Sequence, residues 1–498
     1  MIAKNRPLMS KLTRWSFVKS LSIPIYTNVS GLVLRALGAV YIVAFSSLLF
    51  QYKGLFGQKG ILPAQLTITQ AHNVLGAWAP LKLPSIFLIN ASDTSLGIVL
   101  ALGAISGLAM VFNRLPKLTT FITWFMYLSI HTIGQDFLSF QWDTLLLEMG
   151  LICWIMTWVP TQKHRHVGIF LLKILLFRLM FSSGLVKILS GDLTWRNLTA
   201  LDYHFYTQPL PNLISWYAHQ IPSQLLRIAC FVMFIIELII PFFIWGPRRF
   251  RLIAFWAMSG LQIILILTGN FAFFNWLTLV LTLCLIDDIM LPKWTLRFTQ
   301  YTQKVSLPSI NQNKVSSWWC RIGIFLAVMV ASQQFAPNAI ISKSTRPVRN
   351  ILLPFRVANP YGLFAMMTTH RPELIIEGSD DGTNWYAYSL PWKPQNPKTP
   401  PKRVAPYHPR LDWQLWFAGL GTYRNNPWTV NLMIQLLRNS KDVTALFSFN
   451  PFPLSPPKYV RIMKSNYEFT TFEERERSNF WWKILSREIY LPALTLKQ

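Results

Sequence analysis

Acidic residues are scarce in this sequence of 498 residues, which contains only 20 Asp and Glu. All charged residues together make up 13% of the chain. An average soluble domain contains about 25%. Too few charges remain to cover the surface of a soluble enzyme of this length, so the composition argues against an ordinary soluble protein.

Cysteine is also rare, with four residues that all lie inside apolar runs: Cys153, Cys230, Cys284 and Cys320. No CxxC or CxxH spacing occurs, which argues against a structural zinc site and a thioredoxin-like redox centre. The histidines show no metal-ligand spacing, and no glycine-rich phosphate loop, nucleophile elbow or pair of catalytic carboxylates stands in a suitable context. We therefore expect no metal, no cofactor and no catalytic motif.

Apolar and basic residues are abundant instead. The chain is 52% hydrophobic, with 35 Phe and 21 Trp, and its 47 Lys and Arg give a formal net charge of +27. Basic charge with low hydrophobicity would indicate a nucleic-acid-binding tail, but here it accompanies a large apolar excess. This combination predicts a multi-pass membrane protein with basic flanks and no nucleic-acid partner.

Nine apolar runs approach the roughly 20 residues that a helix needs to cross a bilayer. They are Gly31–Gln51, Leu96–Phe112, Leu118–Gly134, Trp142–Val159, Val167–Leu189, Leu226–Trp245, Leu252–Leu267, Phe271–Ile286 and Ser317–Ala331. They predict a mainly α-helical polytopic bundle with about eight to nine transmembrane helices. Only Thr268, Gly269 and Asn270 separate the seventh run from the eighth, so these two form either a helical hairpin or one long bent helix.

Basic residues are concentrated in alternate gaps between these runs. The gaps rich in Lys and Arg are 1–30, 114–117, 163–165, 248–251 and 293–314. By the positive-inside rule these gaps are cytoplasmic. We therefore expect a basic cytoplasmic leader at 1–30, a transmembrane bundle at 31–334 with external loops 52–95 and 190–225, and an extracytoplasmic domain at 335–498.

The last third contains short β-prone stretches, turn clusters and many prolines. Glu373–Ile376, the cluster Gly378–Gly382 and Trp385–Tyr388 predict a β-hairpin. The proline-rich segment 391–409 excludes a regular helix, because proline lacks the N–H that a helix needs. Helices are predicted at Leu411–Leu420 and Pro427–Leu437, and a last strand at Tyr459–Met463. We predict an α+β domain with a β-sandwich-like core and a helical insert.

Several ionisable residues lie inside or near the ends of the predicted spans, where each costs about 2.5–3.5 kcal/mol unless it has a partner. Arg178 and Glu237 each lie about 16 Å from the external end of their span at about 1.5 Å per residue, so we expect an ion pair between them. The pair is either a structural clamp or part of a proton or substrate relay. Near the external boundary, Asp136, Asp143, Lys187 and Asp192 form a candidate polar rim, and Glu148 lies about two turns deeper. Snorkelling to the interface is the alternative for Lys187.

Aromatic-rich strings occur in order along almost the whole chain. Among them are Gly54-Leu-Phe-Gly-Gln-Lys-Gly-Ile-Leu-Pro-Ala-Gln65, Phe137-Leu-Ser-Phe-Gln-Trp-Asp143, Trp195-Arg-Asn-Leu-Thr-Ala-Leu-Asp-Tyr-His204, Asn359-Pro-Tyr-Gly-Leu-Phe364 and Pro409-Arg-Leu-Asp-Trp413. In these strings the sequence resembles the lipase maturation factor family. The resemblance implies a multi-pass membrane protein that helps secreted lipases reach their active, assembled form, with the last third outside the cytoplasm. It implies no catalytic residue and no cofactor.

The partners implied by the resemblance are the lipid bilayer and a client, which is a secreted lipase or another exported hydrolase. Contact surfaces combine apolar area with polar edges, as do the loop at 201–206 and the aromatic helix at Trp413–Phe417. The candidate client-contact residues are Tyr203, Phe205, Tyr206, Arg410, Asp412 and Trp413, and the polar loop candidates are Asp202 and His204. The alternative is that the aromatic residues pack the loop on the bundle or the helix on the sheet. The short basic leader and the lack of an obvious retention tail favour a bacterial inner membrane over the endoplasmic reticulum.

The membrane region is also distantly similar to the transmembrane domain of vitamin K-dependent carboxylases. That resemblance implies a membrane enzyme acting on a lipid, a quinone or a client protein. Lys187, His204 or Asp143 would then supply the base near the membrane boundary. We expect a non-catalytic maturation factor and keep this enzyme as the alternative.

Overall fold

The structure of the protein is a computed structural model that describes residues 24–158, 162–292, 295 and 313–496. Most of the predicted basic leader, and most of the basic gap at 293–314, lie outside these residues. Within the described chain, helices form the first two thirds. A four-stranded antiparallel sheet with covering helices forms the core of the last third.

The first two thirds contain both long helices and short connecting ones. The α-helices are α1 (Thr27–Leu49), α2 (Tyr52–Phe56), α3 (Ala64–Leu75), α4 (Ala79–Lys82), α5 (Asp93–Val111), α6 (Pro116–Ile133), α7 (Gln141–Trp158), α8 (Gln162–Leu189), α9 (Leu193–Arg196), α10 (Ala200–Thr207), α11 (Leu213–His219), α12 (Ser223–Phe234), α13 (Arg248–Thr268), α14 (Phe274–Thr282) and α15 (Asn313–Phe335). Short 3₁₀ segments are Gly76–Trp78, Ile86–Leu88, Gln135–Leu138 and Leu283–Leu285.

The described residues include five helices that are long and apolar enough to cross a bilayer. These are Thr27–Leu49, Asp93–Val111, Arg165–Leu189, Ser223–Trp245 and Arg248–Thr268. A sixth span results if Trp318–Phe335 and Ile340–Phe355, bent by 115° relative to each other, are counted as one. The mainly helical, multi-pass membrane class is therefore confirmed. The further predicted spans correspond to α6, α7 and the short α14, so the count of eight to nine stays a prediction.

The span Ser223–Trp245 is not a uniform helix. Helix α12 continues into a π-helical turn at Ile235–Ile239 and then into a 3₁₀ segment at Ile240–Trp245. Pro241 accounts for the change, because it has no N–H for an α-helical bond and its ring clashes with the preceding turn. Glu237 lies within the π-helical turn and is buried there.

Helices α1 and α5 approach each other closely at a pair of glycines. A Cβ atom at Gly38 of α1 would lie 2.7 Å from the carbonyl oxygen of Gly107 and 2.8 Å from Met110 Cβ, both on α5. Only glycine permits this approach without a shift of backbone. Contacts between small residues of this kind are typical of helix pairs in membranes, where backbones pack directly on each other.

We expect Gly38→Ala to lower the free energy of unfolding by about 1–3 kcal/mol, because the added methyl group forces α1 and α5 apart. Gly31→Ala is the matched control on the same helix, since a Cβ at Gly31 meets nothing within 4 Å. The control should be neutral or slightly stabilising, because alanine favours a helix over glycine by about 1 kcal/mol. Thermal unfolding in mild detergent, monitored by tryptophan fluorescence, measures the stability of both variants. Equal stability of the two variants would contradict the close approach.

The seventh and eighth apolar runs form a helical hairpin, which confirms the first of the two arrangements considered for them. Helix α13 ends at Thr268 and α14 begins at Phe274. The two helices pack on each other, and the hydroxyl oxygens of Ser259 on α13 and Thr282 on α14 are 3.0 Å apart. One long bent helix is therefore excluded for this segment.

The last third contains one antiparallel sheet of the order β2-β1-β3-β4. Its strands are β1 (Arg371–Ser379), β2 (Tyr386–Ala387), β3 (Tyr459–Phe469) and β4 (Trp482–Leu494), and its helices are α16 (Ile340–Leu352), α17 (Arg410–Gly419), α18 (Trp428–Leu437), α19 (Lys441–Thr444) and α20 (Phe472–Ser478). Short 3₁₀ segments are Leu353–Phe355 and Tyr423–Asn425. The register pairs Ile376 with Ile462 and Glu377 with Ala387. The predicted hairpin, the two predicted helices and the strand that begins at Tyr459 are confirmed.

The predicted β-sandwich-like core is wrong, because the described residues of this domain contain a single sheet. Helix α17 packs against β1 and helix α18 packs against β3, so helices supply the second layer. Strand β4 and helix α20 were not predicted. The segment that forms β4 mixes apolar and charged residues without a clear alternation, since six consecutive positions from Leu485 to Tyr490 include Arg487 and Glu488.

The segments predicted to be external lie against the C-terminal domain. Ser440 Oγ donates to the carbonyl oxygen of Lys59 in the first loop at 2.8 Å, and Trp195 Nε1 in the second loop donates to the carbonyl oxygen of Phe364 at 3.0 Å. Asn270, in the turn of the α13–α14 hairpin, donates to the carbonyl oxygen of Lys402 at 2.8 Å. The charge-poor gaps are therefore gathered on one side of the bundle.

A second set of charged contacts lies where α1 and α13 begin. Asp287 accepts hydrogen bonds from Arg248 and Arg251, both at 2.8 Å. Asp288 accepts from the backbone N–H groups of Asn28 and Val29, at 3.0 and 2.9 Å. An aspartate at a helix N-terminus satisfies free N–H groups and complements the helix dipole. The Arg248–Arg251 gap is thus bound to the start of the first span.

Candidate functional site

A cavity of about 550 Å³ lies between the helix bundle and the C-terminal domain, and we call it the junction cavity. Residues from α8, α13, α14 and the π-helical turn line it on the bundle side, and residues from segment 362–368 and α17 line it on the domain side. Its volume falls within the range of about 300–1,000 Å³ that is typical of small-molecule sites.

The walls of the junction cavity are mostly apolar. Buried aromatic side chains such as Trp142 and Phe274 contribute to them. Met366, Phe417 and Leu420 also line the cavity, and they are 72%, 42% and 42% exposed. Exposed apolar side chains therefore border its opening on the side of the C-terminal domain.

One ion pair lies in the wall of the junction cavity. Lys187 Nζ donates to the two carboxylate oxygens of Glu237 at 2.7 and 2.9 Å, and to the carbonyl oxygen of Ser183 at 3.1 Å. These three bonds use all three N–H groups of the ammonium. The snorkelling alternative for Lys187 is wrong, because its side chain is 3% exposed and is bound inside the protein.

The predicted ion pair between Arg178 and Glu237 is also wrong. Arg178 donates to Glu148 at 2.5 Å and to the carbonyl oxygen of Asn359, while Glu237 is held by Lys187. Counting residues along straight helices gives a depth in the membrane, but it does not tell which face of the helix a side chain occupies. The π-helical turn changes that face for Glu237.

Glu148 is the centre of a buried network that joins α7, α8 and the chain after α16. Its second carboxylate oxygen accepts hydrogen bonds from the backbone N–H of Asn359 at 3.0 Å, the side-chain amide of Asn359 at 3.1 Å and the hydroxyl of Tyr361 at 2.8 Å. Segment 359–361 leads toward the first strand of the C-terminal domain. The network with Arg178 thus fixes this connection to the bundle.

Asp143 and Arg410 form a second link between the bundle and the C-terminal domain. The two guanidinium nitrogens of Arg410, on α17, donate to the two oxygens of Asp143, on α7, at 2.7 and 2.8 Å. Tyr127 donates to the same carboxylate at 2.5 Å. Both charged side chains are fully buried. Bidentate geometry of this kind is the strongest form of an arginine–carboxylate contact.

The aromatic residues of the second loop pack inside the structure. Phe205 and Tyr206 are 8% and 6% exposed and belong to one cluster with Trp216 and with Trp481 and Trp482 at the end of the sheet. Tyr203 packs against the same cluster and is half-buried. In this structure these aromatic side chains therefore pack within the protein, which was the alternative to a client contact. Their role as client contacts stays a prediction.

The remaining loop and helix candidates are also engaged within the protein. Arg410, Asp412 and Trp413 are all buried, and the Trp413 ring makes a T-shaped contact with Trp142 at 4.8 Å between centroids. Asp202 is half-buried and accepts a hydrogen bond from Ser223 at 3.0 Å. Helix α17 thus binds the bundle through Arg410 and Trp413, two of the side chains that were predicted to bind a client.

Arg371 is a buried residue that the sequence analysis missed. It begins β1, and its guanidinium donates to the carbonyl oxygens of Tyr206 at 2.8 Å, Pro209 at 2.9 Å and Gln208. Glu373 balances its charge at 2.5 Å and is also 2.5 Å from Lys393. The sequence contains one signal of this pair: Arg371 and Glu373 have opposite charges and lie two residues apart in a strand-forming segment, so their side chains lie on the same face of the strand. Arg371 holds the loop at 206–209 in place beside the junction cavity.

Asp412 is a buried carboxyl group in the C-terminal domain. One of its oxygens accepts hydrogen bonds from the backbone N–H groups of Trp392 and Lys393, at 3.0 and 3.1 Å. Burial raises the pKa of Asp412 to about 7, and these two hydrogen bonds and the Lys393 charge only partly oppose the rise. The folded domain therefore binds a proton at Asp412 more tightly than the unfolded chain does.

We expect Asp412→Asn to gain stability relative to the original chain as the pH rises from about 4 to about 7. In this window unfolded Asp412 is ionised and folded Asp412 is protonated, so its contribution to stability falls with rising pH by up to about 1.4 kcal/mol per pH unit. Above pH 7 the difference between the two proteins should stay constant. Unfolding curves at a series of pH values measure it. Asp381→Asn is the control, because hydrogen bonds lower the pKa of this exposed carboxyl, so its effect should not change across the same window. If the difference in unfolding free energy between Asp412→Asn and the original chain does not change between pH 4 and pH 7, the raised pKa of Asp412 is contradicted.

Five buried side chains that line the junction cavity have polar atoms without a hydrogen-bond partner among the described residues, and one of them is Gln208, through its Oε1 atom. The other atoms are His204 Nε2, Gln262 Oε1, Trp413 Nε1 and both side-chain polar atoms of Asn275. Each such atom costs about 1–3 kcal/mol when it is buried without a partner. Burial and the nearby Lys187 charge lower the pKa of His204 to about 4, so its imidazole is neutral at pH 7. The cavity thus offers uncharged hydrogen-bonding groups in an apolar surrounding.

Asp143, Lys187 and His204, the three residues considered as a catalytic base, differ in whether protein partners already bind their polar atoms. Asp143 is bound by Arg410 and Tyr127, and Lys187 is bound by Glu237 and Ser183, whereas His204 keeps a free ring nitrogen beside the cavity. Among the described residues, no group of three or more His, Cys, Asp or Glu is placed to hold a metal ion. The four cysteines are free thiols.

Comparisons with known proteins agree over both parts of the chain. The family model described as lipase maturation factor transmembrane domain matches residues 29–293, and the one described as lipase maturation factor C-terminal domain matches residues 357–492. Lipase maturation factor 2 of Rattus norvegicus is 32% identical, over 93% of this chain and 83% of its own length. Lipase maturation factor 1 of Mus musculus is 31% identical, over 93% of this chain and 87% of its own length. No solved structure matches the chain.

The two family matches together span the helix bundle, the junction cavity and the sheet, and the relatives extend over most of both chains. The resemblance inferred from the aromatic-rich strings is confirmed. The chain belongs to the lipase maturation factor family.

Proposed function

We propose that this chain is a membrane-embedded maturation factor that helps secreted lipases or related exported hydrolases to fold and assemble, without catalysing a reaction. The observation that carries this proposal is the similarity to lipase maturation factors along 93% of the chain. The buried charges support it, because Asp143, Glu148 and Lys187 are each bound by protein partners. Asp143 and Glu148 join the bundle to the C-terminal domain, whereas Lys187 is paired within the bundle.

The proposed orientation places the N-terminus in the cytoplasm and the C-terminal domain outside it. The charge-poor loops at 52–95 and 190–225 contact the C-terminal domain, while the basic gap at 248–251 lies at the start of α13. This asymmetry is what the positive-inside rule associates with a cytoplasmic basic end. An impermeant maleimide should label Leu454→Cys in intact cells, since Leu454 is 96% exposed. No labelling until the membrane is permeabilised would reverse the orientation.

Helix α16 supports a position of the C-terminal domain at the membrane surface. It follows α15 after a bend of 115° and carries the exposed basic residues Lys343 and Arg346 together with exposed Ile340 and Ile351. A helix with exposed apolar and basic sides is typical of one that lies in the headgroup region. We propose that α16 lies along the outer surface of the bilayer.

Strand β4 is the surface that we propose for the client. It is the last strand of the sheet, and Ile484, Leu485 and Ile489 along it are 50%, 57% and 62% exposed. The free edge of a strand can pair with an extended segment of another chain, and exposed apolar side chains add contact area. An incompletely folded exported lipase has such segments. The buried candidates at 205–206 and 410–413 then act by holding the domain that presents β4.

The test of this function uses cells that lack the chain and produce an exported lipase encoded by the same genome. Restoring the original chain should raise the activity of the secreted lipase per unit of lipase protein several-fold. A variant with Ile484→Lys and Ile489→Lys should fail to restore it at a normal membrane level, whereas Leu454→Lys, equally exposed on the same domain, should restore it. Normal specific activity of every exported lipase without the chain would refute the proposal. Full rescue by the double variant would refute the role of β4 alone.

The second candidate is a membrane enzyme of the carboxylase-like type, acting on a lipid, a quinone or a client protein. One observation favours it, namely that Lys187 and His204 both line the junction cavity. In that case His204→Gln should abolish chemical modification of the substrate while leaving the chain folded. If His204→Gln and Lys187→Met each support lipase maturation at the original level, this candidate fails.

A further inference from the structure

The junction cavity has no part in the client contact proposed for β4. It is nevertheless a built site, because the five side chains with unpartnered atoms are each at least nine-tenths buried: His204, Gln208, Gln262, Asn275 and Trp413 are 6%, 2%, 3%, 2% and 2% exposed. They come from α10 and the residue after it, from the α13–α14 hairpin and from α17, and these three parts of the chain are distant in the sequence. Polar groups from four elements thus converge on one apolar space, which is the usual composition of a small-molecule site.

The charge of the cavity lining restricts the class of ligand. Lys187 and Glu237 are its charged residues, and they neutralise each other at 2.7 Å. A fatty acid or an anionic phospholipid would bring a charge that has no free counter-charge among the lining residues. Burying an unpaired charge is strongly unfavourable. The site therefore favours an uncharged headgroup.

The unpartnered atoms restrict the class further. The amide oxygens of Gln208, Gln262 and Asn275 are acceptors that need a donor from the ligand. Trp413 Nε1 and Asn275 Nδ2 are donors that need an acceptor. A quinone has acceptors only, so it would leave these three amide oxygens without a partner. A headgroup with hydroxyl groups and an ester supplies both kinds.

We propose that the junction cavity binds a single-chain neutral lipid with free hydroxyl groups, of which a monoacylglycerol is the simplest example. The glycerol hydroxyls contact the amides of Gln262 and Asn275, and the acyl chain lies along the apolar walls. Met366, Phe417 and Leu420 give an apolar opening on the domain side, while the half-buried Leu261 and Leu265 of α13 form a wall on the bundle side. The lipid can come from the bilayer or from the aqueous side.

The experiment uses the full-length chain in phosphatidylcholine nanodiscs and a photoactivatable monoacylglycerol as probe. Unlabelled 2-oleoylglycerol should compete with labelling at concentrations at least tenfold lower than oleic acid or decylubiquinone. In one arm the probe is placed in the nanodisc, and in the other it is delivered from cyclodextrin. Faster labelling in the first arm indicates entry from the bilayer, and faster labelling in the second indicates entry from the aqueous side. No specific labelling in either arm, or equal competition by oleic acid or the quinone, would overturn the proposal.

Two variants separate ligand binding from folding. The double variant Gln262→Leu and Asn275→Leu should weaken labelling at least tenfold, yet without ligand its thermal midpoint should stay equal or rise, because buried polar atoms without partners have been removed. Leu265→Trp, which fills the cavity and keeps both amides, should also abolish labelling. Gln65→Leu, on the exposed side of α3, is the matched control and should label as the original chain does. Labelling of the double variant and Leu265→Trp at the control level would place the lipid elsewhere. Since lipase maturation is measured separately, this result would leave the proposed function intact.

Discussion

Arg410→Leu should lower the free energy of unfolding by about 3–5 kcal/mol, the loss expected when one partner of a buried ion pair is removed. The substitution leaves the fully buried carboxylate of Asp143 with Tyr127 as its remaining side-chain donor. Because α17 carries Arg410 into the bundle, the contact between the domain and the bundle should weaken as well. Denaturant unfolding in mild detergent measures the first effect, and limited proteolysis of segment 391–409 measures the second.

The double variant Asp143→Leu and Arg410→Leu distinguishes an unpaired charge from lost packing. It should recover most of the stability, because replacing both members of a buried pair by apolar residues is often neutral or stabilising. Lys464→Leu is the control at a partly exposed pair, in which Lys464 and Glu488 are 3.5 Å apart, and it should change stability by less than about 1 kcal/mol. If Arg410→Leu costs no more than this control, the buried pair does not hold the domain.

Glu148→Leu should be as damaging as Arg410→Leu, with a loss of about 3–5 kcal/mol. It removes the acceptor for Arg178, for both N–H groups of Asn359 and for the hydroxyl of Tyr361. The guanidinium of Arg178 then keeps a single described acceptor, the carbonyl oxygen of Asn359. We expect the connection at 359–361 to become sensitive to protease, with a lower midpoint in denaturant unfolding.

Two double variants test the partners assigned to Arg178. Arg178→Leu with Glu148→Leu should be more stable than either single variant, because no buried charge is left unpaired. Arg178→Leu with Glu237→Leu should be less stable than either single variant, because it leaves the charges of Glu148 and Lys187 without their partners. If the Arg178→Leu, Glu237→Leu variant is instead the more stable of the two double variants, Arg178 pairs with Glu237, as membrane depth had predicted.

Much of the fold follows from local sequence patterns. Apolar runs of span length locate the helices, since a helix in lipid must satisfy its backbone internally and present apolar side chains outward. The turn cluster at Gly378–Gly382 determines the hairpin of β1 and β2, and the prolines at 391–409 exclude regular structure there. Each of these signals depends on neighbouring residues only, so the sequence is enough to predict the helices, the hairpin and the irregular segment.

The partners of the polar residues could not be read in the same way. The depth of Arg178, Glu237 and Lys187 in their spans was predictable, but the π-helical turn at Ile235–Ile239 and the rotation of each helix decide which side chains meet. Glu148 and Asp143 are satisfied by Asn359, Tyr361 and Arg410, which lie more than 200 residues away. Contacts over such separations arise from packing and leave no local pattern.

The sequence by itself determined the class of this protein, its orientation signals and its family, because hydropathy, charge asymmetry and ordered motifs are properties of the chain alone. The tertiary structure decided that Arg178 pairs with Glu148, that helices and not a second sheet cover β1 and β3, and that the predicted client-contact residues at 205–206 and 410–413 are buried. It also brought Gln262, Asn275, His204 and Trp413 to one cavity. The physical reason is that burial and hydrogen-bond satisfaction depend on which faces of distant elements meet, and only the packed chain specifies those faces.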